Sequence, residues 1–189
     1  MKLLKDKIIN EGKVISENIV KIDSFLNHQL EPTFLKKIGE EFASRFSKQG
    51  ITKILTVEAS GIAVGLMTGI VLDVPVIFAK KKQASTLDHR YFSSSVYSFT
   101  KKESVEIFVS KNFLGPQDKV LIIDDFLARG EALRGMRSIV TQANAELVGV
   151  GIVVEKAFQD GGKTLREEGV RIESLARIAS LKDGKVEFI

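Results

Sequence analysis

Four short apolar runs, each separated from the next by a longer segment, constrain the fold more than any other feature of this sequence. The runs are KILTV at 53–57, PVIFA at 75–79, KVLIID at 119–124 and LVGVGIVVE at 147–155. Each run is continuous, which is typical of strands buried on both faces of a parallel sheet. Because helical segments alternate with these runs, the sequence predicts an α/β fold with a central, mostly parallel sheet covered by helices on both faces.

Several segments around these runs predict helices. Residues 2–11 form a short amphipathic pattern before Gly12, and residues 32–50 carry apolar side chains at helical spacing with Gly50 as the expected stop. An apolar helix is expected from about residue 61, and another from 130 to 143.

The remaining segments give weaker signals. SVYSFT (95–100) and VEIFVS (105–110), joined by KKES, predict a β-hairpin. Residues 14–30 have no clear periodicity, and short strands are expected around residues 182–184. No repeat, low-complexity segment or linker divides the chain, so we expect one domain over residues 1–189.

Composition excludes several classes of site. The chain has 189 residues, no cysteine and two histidines, which removes disulfides, thiolate chemistry and a histidine-rich zinc site from consideration. The net charge of +4 suits an anionic ligand and is too small to indicate nucleic-acid binding.

Two apolar stretches raise the question of a membrane or an export signal. Residues 61–79 approach spanning length, but Asp73 and Pro75 lie inside them, so a helix, a turn and a strand fit better. The N-terminus lacks the uninterrupted apolar core of a signal peptide. We therefore expect a cytoplasmic protein without a membrane partner.

Asp124 and Asp125 stand together where the run KVLIID ends. Ligands of parallel sheets bind beyond the carboxyl ends of the strands, and the loop FLARGEA leads from there into a predicted helix, whose first N–H groups favour a phosphate. Two carboxylates that accept hydrogen bonds from vicinal hydroxyls, next to a phosphate loop, fit a ribose 5-phosphate. The alternative is an aspartate pair that caps the helix in solvent.

Two further stretches follow neighbouring strands. VEASGIAVG (57–65) places Ser60 and Gly61 before an apolar helix, which fits either a second anion site or an ordinary helix cap. Three lysines at 80–82 follow PVIFA and form either a solvated loop or a contact to pyrophosphate. AFQDGGKT (157–164) approaches a P-loop, but Ala157 replaces its first glycine, so we reject that reading.

VLIIDDFLARGEA resembles the phosphoribosyl pyrophosphate (PRPP) signature of the type I phosphoribosyltransferases. KIDSFLNHQLEP, VEASGIA, SVYSFTKKES and SLARIASL resemble, in order and spacing, segments of the xanthine phosphoribosyltransferases among them. The resemblance covers nearly the whole chain. It implies the type I phosphoribosyltransferase fold, with a small hood from about 14–30 plus C-terminal segments and with SVYSFTKKES as a flexible hairpin flap.

The resemblance also implies a role for each site residue. Asp124 and Asp125 are expected to hold the ribose hydroxyls as catalytic residues, and the 5-phosphate is expected on Ala128, Arg129, Gly130, Glu131 and Ala132. Pyrophosphate is expected on Ala59, Ser60, Gly61 and Lys81, and the base on Val20, Asn27 and Lys156. Phe158 could stack on the purine or belong to the core. The superfamily pattern has Thr-Gly and a later hydroxyl in this loop, where this chain has Arg129-Gly130-Glu131-Ala132, so two hydroxyl donors are missing.

The implied reaction joins PRPP and xanthine to give xanthosine 5′-monophosphate and pyrophosphate. Mg²⁺ is expected as a cofactor bound mainly through PRPP, with no metal held by the protein alone, and the protein is expected to form a homodimer. Xanthine is partly anionic near neutral pH, which suits the cation of Lys156 and the amide of Asn27. Two alternatives remain. One is a phosphoribosyltransferase for adenine or for hypoxanthine and guanine, and the other is a non-catalytic PRPP-sensing regulator that binds nucleic acid.

Overall fold

A computed structural model describes residues 1–82, 90–98 and 103–189 of the chain. Its helices are α1 (Lys2–Glu11), α2 (Pro32–Arg45), α3 (Ser60–Leu72), α4 (Glu131–Gln142) and α5 (Gly161–Glu167). Its strands are β1 (Lys13–Ser16), β2 (Ile19–Lys21), β3 (Lys53–Val57), β4 (Val76–Ala79), β5 (Tyr91–Ser98), β6 (Glu103–Ser110), β7 (Lys119–Leu127), β8 (Glu146–Lys156), β9 (Ile172–Ser180) and β10 (Glu187–Phe188).

A six-stranded sheet organises the molecule, in the order β10-β9-β8-β7-β3-β4. β4, β3, β7, β8 and β9 are parallel to one another, and β10 closes one edge in the antiparallel direction. The predicted α/β class with a mostly parallel central sheet is therefore confirmed. Two antiparallel hairpins, β1–β2 and β5–β6, stand outside this sheet.

Both faces of the sheet are buried, which explains the continuous apolar runs. On β7, Leu121 and Ile123 pack into a core with α1, α2 and α3, whereas Val120 and Ile122 pack into a second core with α4 and β6. All four side chains are fully buried. Because successive side chains point to opposite faces, a strand between two helical layers needs apolar residues at every position.

Helix α2 ends earlier than predicted. It stops at Arg45, and Gly50 belongs to the turn that leads into β3. The backbone after Arg45 explains this difference, because Lys48 and Gly50 have positive φ of 64° and 66°. Left-handed residues cannot continue a right-handed helix, so the glycine lies in a turn and does not cap the helix.

Residues 182–184 form a 3₁₀ turn, and the short strands expected there are absent from that position. Asp183 and Gly184 have φ of 53° and 70°, which no strand accommodates. The strands flank this turn as β9, which is nine residues long, and the two-residue β10.

The predicted hairpin is present and longer than expected. β5 begins at Tyr91 and pairs with β6 from Tyr91–Ser110 to Ser98–Glu103, so Glu103 belongs to a strand instead of the connection. The connecting tip, 99–102, lies outside the described residues. The hairpin rests on α4, where Gln142 Nε2 donates to the Ser93 carbonyl at 2.8 Å.

Candidate active site

Asp124 and Asp125 lie within β7 near its carboxyl end. The strand was expected to stop at Asp124, but it continues to Leu127 because Phe126 and Leu127 pair with Val154 and Glu155 of β8. The carboxyl groups therefore project from a hydrogen-bonded strand. The backbone N–H of Asp125 donates to Asp124 Oδ1 at 3.0 Å, and that of Phe126 donates to Asp125 Oδ1 at 2.9 Å.

The surroundings of Asp124 disfavour its ionised form. Its side chain is 4% exposed. Burial, followed by the neighbouring charge of Asp125, raises the pKa of Asp124 well above its ordinary value, while the Asp125 N–H and the charge of Lys81 act in the opposite direction. Buried carboxyl groups with a strongly raised pKa are characteristic of functional sites, where a ligand can supply the missing hydrogen-bond donors.

The predicted phosphate loop runs from Ala128 to the start of α4. Gly130 precedes the first helical residue with φ of 84°, a left-handed conformation that favours glycine. Beyond it, the first N–H groups of a 12-residue helix are available to an anion. The loop thus has the geometry of a phosphate site built from backbone groups.

Arg134 contacts the backbone of this loop and the side chain of one of its unusual residues, Glu131. Its Nη1 donates to the Arg129 carbonyl oxygen at 2.9 Å and lies 3.7 Å from Glu131 Oε1. The Glu131 carboxylate is therefore paired with a cation one turn further along the helix, which offsets its charge close to an expected phosphate. The sequence reading did not identify Arg134, although its spacing of three residues from Glu131 was a usable signal.

The rejected P-loop segment supports the phosphate loop by packing. A Cβ atom on Gly161 would lie 2.4 Å from the Ala128 carbonyl oxygen and 2.6 Å from the Gly130 nitrogen. Helix α5 therefore begins in backbone contact with the loop, and no larger residue fits at Gly161. Its glycines serve close packing, a function that the sequence pattern alone did not indicate.

The predicted pyrophosphate loop joins β3 to α3. The peptide bond between Glu58 and Ala59 is cis, and Ser60 is the first residue of α3. A Cβ atom on Gly61 would lie 2.2 Å from Thr56 Oγ1 and 3.1 Å from Asp124 Oδ1. Gly61 therefore brings this loop against the aspartate of β7.

Lys81 follows β4 at the same edge of the sheet. Its backbone N–H donates to Glu58 Oε1 at 2.6 Å, which ties it to the pyrophosphate loop. Its side chain is exposed, and its charge acts on the Asp124 carboxyl. Three strand ends thus bring Ser60, Lys81 and Asp124 into one region.

The residues predicted for the base come from the β1–β2 hairpin and the turn after it. Val20 on β2 is 6% exposed and packs into the core beneath the hairpin. Asn27 is exposed, and its side chain reaches the pyrophosphate loop, where the Ser60 hydroxyl donates to Asn27 Oδ1 at 2.9 Å. A residue predicted for the base and a residue predicted for pyrophosphate are therefore in direct contact.

Lys156 ends β8 and meets the same hairpin from the other side. Its Nζ donates to the Asn18 carbonyl oxygen at 2.7 Å and lies 5.5 Å from the centre of the Phe126 ring. Burial lowers the pKa of Lys156. Phe158 is partly buried and packs against the core that contains Val20.

Glu155, next to Lys156, is a buried group that the sequence reading missed. Arg166 donates to both of its carboxylate oxygens at 2.7 Å, and the Ser174 hydroxyl donates to Oε2. Burial alone would raise the pKa of Glu155, but these hydrogen bonds and the charges of Arg166 and Arg177 leave it below its ordinary value. The Glu155 carboxylate therefore links β8 to α5 and β9.

Within the three described ranges, no three histidine, cysteine, aspartate or glutamate side chains converge as metal ligands. The acidic pair of Asp124 and Asp125 beside a phosphate loop fits a Mg²⁺ ion that arrives on a phosphorylated substrate. No helix among the described residues has the length and apolar character needed to cross a membrane.

The curated relatives that match over the full length of the chain are xanthine phosphoribosyltransferases. No protein-family model matches the chain. The xanthine phosphoribosyltransferase of Moorella thermoacetica is 60% identical over 189 residues, which cover 100% of this chain and 96% of that relative. The xanthine phosphoribosyltransferase of Oceanobacillus iheyensis is 58% identical over 188 residues, covering 100% of this chain and 97% of that relative.

Solved structures share the fold at lower identity. The adenine phosphoribosyltransferase of Giardia lamblia, complexed with 9-deazaadenine, superposes with a TM-score of 0.76 at 22% identity and covers 92% of this chain and 97% of its own. That of Rhodothermus marinus has a TM-score of 0.76 at 22% identity, covering 94% and 100%. The fold is that of the type I phosphoribosyltransferases, and the full-length identity to its relatives shows that this chain belongs to the xanthine phosphoribosyltransferase family.

Proposed function

We propose that this protein transfers the phosphoribosyl group of PRPP to xanthine, giving xanthosine 5′-monophosphate and pyrophosphate in purine salvage. The observation that carries the proposal is the buried Asp124 carboxyl beside Asp125, directly before a loop in which Gly130 opens helix α4. The choice of xanthine is supported by the names of relatives that are 60% and 58% identical.

PRPP binds by its 5-phosphate to the loop from Ala128 to Ala132. Backbone N–H groups and the positive end of the α4 dipole hold the phosphate there. Asp124 and Asp125 accept hydrogen bonds from the adjacent ribose hydroxyls, which replace the donors that water would otherwise supply. This contact fixes the ribose with its anomeric carbon turned towards the pyrophosphate loop.

Pyrophosphate leaves towards Ala59, Ser60, Gly61 and Lys81. The bond between the anomeric carbon and the pyrophosphate oxygen breaks with its electron pair on oxygen, and the Lys81 cation and loop N–H groups stabilise that charge. The ribose acquires positive charge at the anomeric carbon, which the two nearby aspartates favour electrostatically. A Mg²⁺ ion held mainly through PRPP, next to Asp124 and Asp125, would supply further positive charge to the leaving pyrophosphate.

The base approaches from the side of the β1–β2 hairpin. The lone pair of its nitrogen forms a bond to the anomeric carbon as the bond to pyrophosphate breaks, and the proton that this nitrogen carried passes to solvent water. Val20 provides an apolar wall, Asn27 and Lys156 supply hydrogen-bond donors for the oxo groups, and Phe158 offers a ring for stacking. Lys156 suits an anionic purine because a cation at that position favours the deprotonated base.

The hood, the flap, a homodimer and a cytoplasmic location stay predictions. In this proposal the β1–β2 hairpin and the turn to α2 form the hood over the base, and β5–β6 closes as the flap to keep water from hydrolysing PRPP. Lys81 would then act at pyrophosphate, within its own subunit or across the dimer.

Pyrophosphate release in the presence of PRPP and Mg²⁺ tests the proposal, with xanthine, guanine, hypoxanthine and adenine assayed in parallel. We expect xanthine to give the highest kcat/KM. Preference for another base would retain the phosphoribosyl transfer and overturn the assignment of the base site. PRPP binding without release for any base would overturn catalysis itself.

A further inference from the structure

Arg134 on α4 lies against the loop expected to hold the 5-phosphate, although it is outside that loop in sequence and has no role in the proposed reaction. Its Nη1 donates to the Arg129 carbonyl oxygen at 2.9 Å. A Cβ atom on Gly130 would lie 3.2 Å from the same nitrogen, so the guanidinium also lies close to the Gly130 backbone. Two neighbouring residues of the loop therefore fix the position of the Arg134 guanidinium.

Glu131 brings a negative charge into the same loop. It is the first residue of α4, directly after Gly130. A carboxylate in the first turn is favourable for the helix, because the N-terminal end of the helix dipole is positive. A 5-phosphate bound to this helix end carries about two negative charges and is repelled by the same carboxylate. Glu131 thus suits the helix and opposes the ligand, unless a cation offsets it.

Arg134 supplies that cation before any ligand binds. Its Nη1 lies 3.7 Å from Glu131 Oε1. Exposed ion pairs contribute little when two mobile side chains must both be ordered to form them. Here the guanidinium is already held by the Arg129 carbonyl oxygen, so only the Glu131 side chain loses freedom in the pair. The backbone of the loop therefore maintains the cation that offsets the carboxylate of the loop.

We propose that Arg134 is a positioning residue for PRPP that acts through Glu131. It holds the carboxylate in an ion pair and cancels its charge, so that the first N–H groups of α4 present a positive end to the 5-phosphate. The pair lies beside the phosphate and not at the anomeric carbon, so it sets the affinity for PRPP and leaves the chemical step and the base unaffected. This inference rests on the proposed function and on residues 128–132 as the phosphate loop.

The test is a double-mutant cycle on Arg134 and Glu131, with KM for PRPP measured by pyrophosphate release at saturating xanthine and Mg²⁺. Arg134→Met keeps a long side chain that favours helix and removes the charge. It should raise KM for PRPP by about tenfold, the size expected for one unpaired carboxylate near a doubly charged group, while kcat and KM for xanthine change by less than about twofold. In a Glu131→Gln background, the same substitution should raise KM for PRPP by less than about twofold, because no carboxylate is left to offset.

Arg137→Met is the matched control, since it removes the same charge from the next turn of α4. The Arg137 side chain is 39% exposed against 37% for Arg134, and its partner is Glu168, outside the phosphate loop. Because Arg137 makes no contact with the loop in these pairs, Arg137→Met should change KM for PRPP by less than about twofold. An effect of net charge alone would appear equally in both variants.

Binding of ribose 5-phosphate gives a second readout that does not need turnover. Calorimetry should show a Kd about tenfold higher for Arg134→Met than for wild-type protein, and thermal unfolding checks that each variant is folded. Arg134→Gln replaces Arg134→Met if that variant fails to fold. An unchanged KM for PRPP, an equal rise in the Glu131→Gln background, or an equal rise for Arg137→Met would overturn the role of Arg134. Wild-type protein that binds ribose 5-phosphate but releases no pyrophosphate would overturn the proposed function instead, so the two failures are distinguishable.

Discussion

The carboxyl ends of β7 and β8 each carry a buried carboxyl group, and their surroundings differ. Asp124 on β7 is 4% exposed, and its Oδ1 accepts the backbone N–H of the next residue, Asp125, which is also acidic. Glu155 on β8 is 2% exposed and accepts two hydrogen bonds from Arg166 and one from Ser174. The strands are neighbours in one sheet, so the difference comes from local partners.

The two pKa directions express this contrast. Burial and the charge of Asp125 raise the pKa of Asp124, whereas the hydrogen bonds and charge of Arg166 outweigh burial and lower the pKa of Glu155. A buried carboxylate that is paired with an arginine, and whose pKa is therefore lowered, contributes to folded-state stability at neutral pH. A carboxyl that is buried beside a second acid costs stability, and a bound ligand that donates hydrogen bonds to it would offset that cost.

The largest expected effect comes from Asp125→Asn at the β7 end. Loss of one carboxylate beside the developing charge on the ribose should lower kcat/KM for PRPP by about 100- to 1000-fold. Pyrophosphate release at low PRPP and saturating xanthine measures this loss. The matched control is Asp73→Asn, which removes the same charge from an exposed left-handed position that asparagine tolerates. Near-normal rates for Asp125→Asn would contradict the catalytic assignment.

At the β8 end, Arg166→Met should act on stability. It leaves Glu155 buried with fewer partners and should lower the free energy of unfolding by about 2–4 kcal/mol. Urea denaturation at neutral pH measures the loss. Lys163→Met on the same helix is the control. It removes an exposed ion pair in which Lys163 Nζ lies 3.9 Å from Glu167 Oε1, and it should change the free energy of unfolding by less than about 1 kcal/mol.

The pH dependence of this loss checks its cause. Because the pKa of Glu155 is lowered in the folded state, its contribution is present above its ordinary value of 4.5 and disappears as the pH falls through the folded value. The difference in free energy of unfolding between wild-type protein and Arg166→Met should therefore decrease at acidic pH. A gap of constant size would attribute the effect to packing of the arginine side chain.

The contrast also explains what the sequence could predict. Asp124, Asp125 and the loop to Ala132 are contiguous, so one stretch of apolar residues, acids and glycine predicts a strand, an acidic pair and a phosphate loop. The partners of Glu155 lie 11 and 19 residues away on a helix and another strand. Such a network depends on how three elements meet, and no local pattern encodes it.

The proposed base site rests on resemblance and has no local sequence signal of its own. Residues 14–30 have no helical or strand period, because a four-residue and a three-residue strand are followed by a turn held by backbone hydrogen bonds. Neither the contact of Asn27 with Ser60 nor the bond from Lys156 to the Asn18 carbonyl oxygen joins residues near in sequence. These contacts follow from the tertiary fold.

Lys156 follows Glu155 directly on β8, yet its proposed role is at the base and not in the stability of the fold. Lys156→Met should raise KM for xanthine by about tenfold and leave KM for PRPP unchanged, since one charge-assisted contact to the base is lost. Burial lowers the pKa of Lys156, so the wild-type KM for xanthine should rise at a lower alkaline pH than an ordinary lysine would give. Lys156→Arg retains the charge and should remove that alkaline dependence. An equal rise in KM for PRPP would indicate a structural role.

The smallest effect, and the most direct test of the comparison, is the stability of Asp124→Asn. Because the folded-state pKa of Asp124 is raised above its ordinary value of 3.8, stability is lost as the pH rises through the folded value, so this carboxyl costs stability at neutral pH. The neutral amide should therefore increase the free energy of unfolding by about 1 kcal/mol at neutral pH while activity falls. Thermal unfolding across pH should show this gain shrink towards pH 4, whereas Asp73→Asn should show no gain. A loss of stability at neutral pH would mean that Asp124, like Glu155, is neutralised by the fold itself, and the distinction between the two strand ends would not hold.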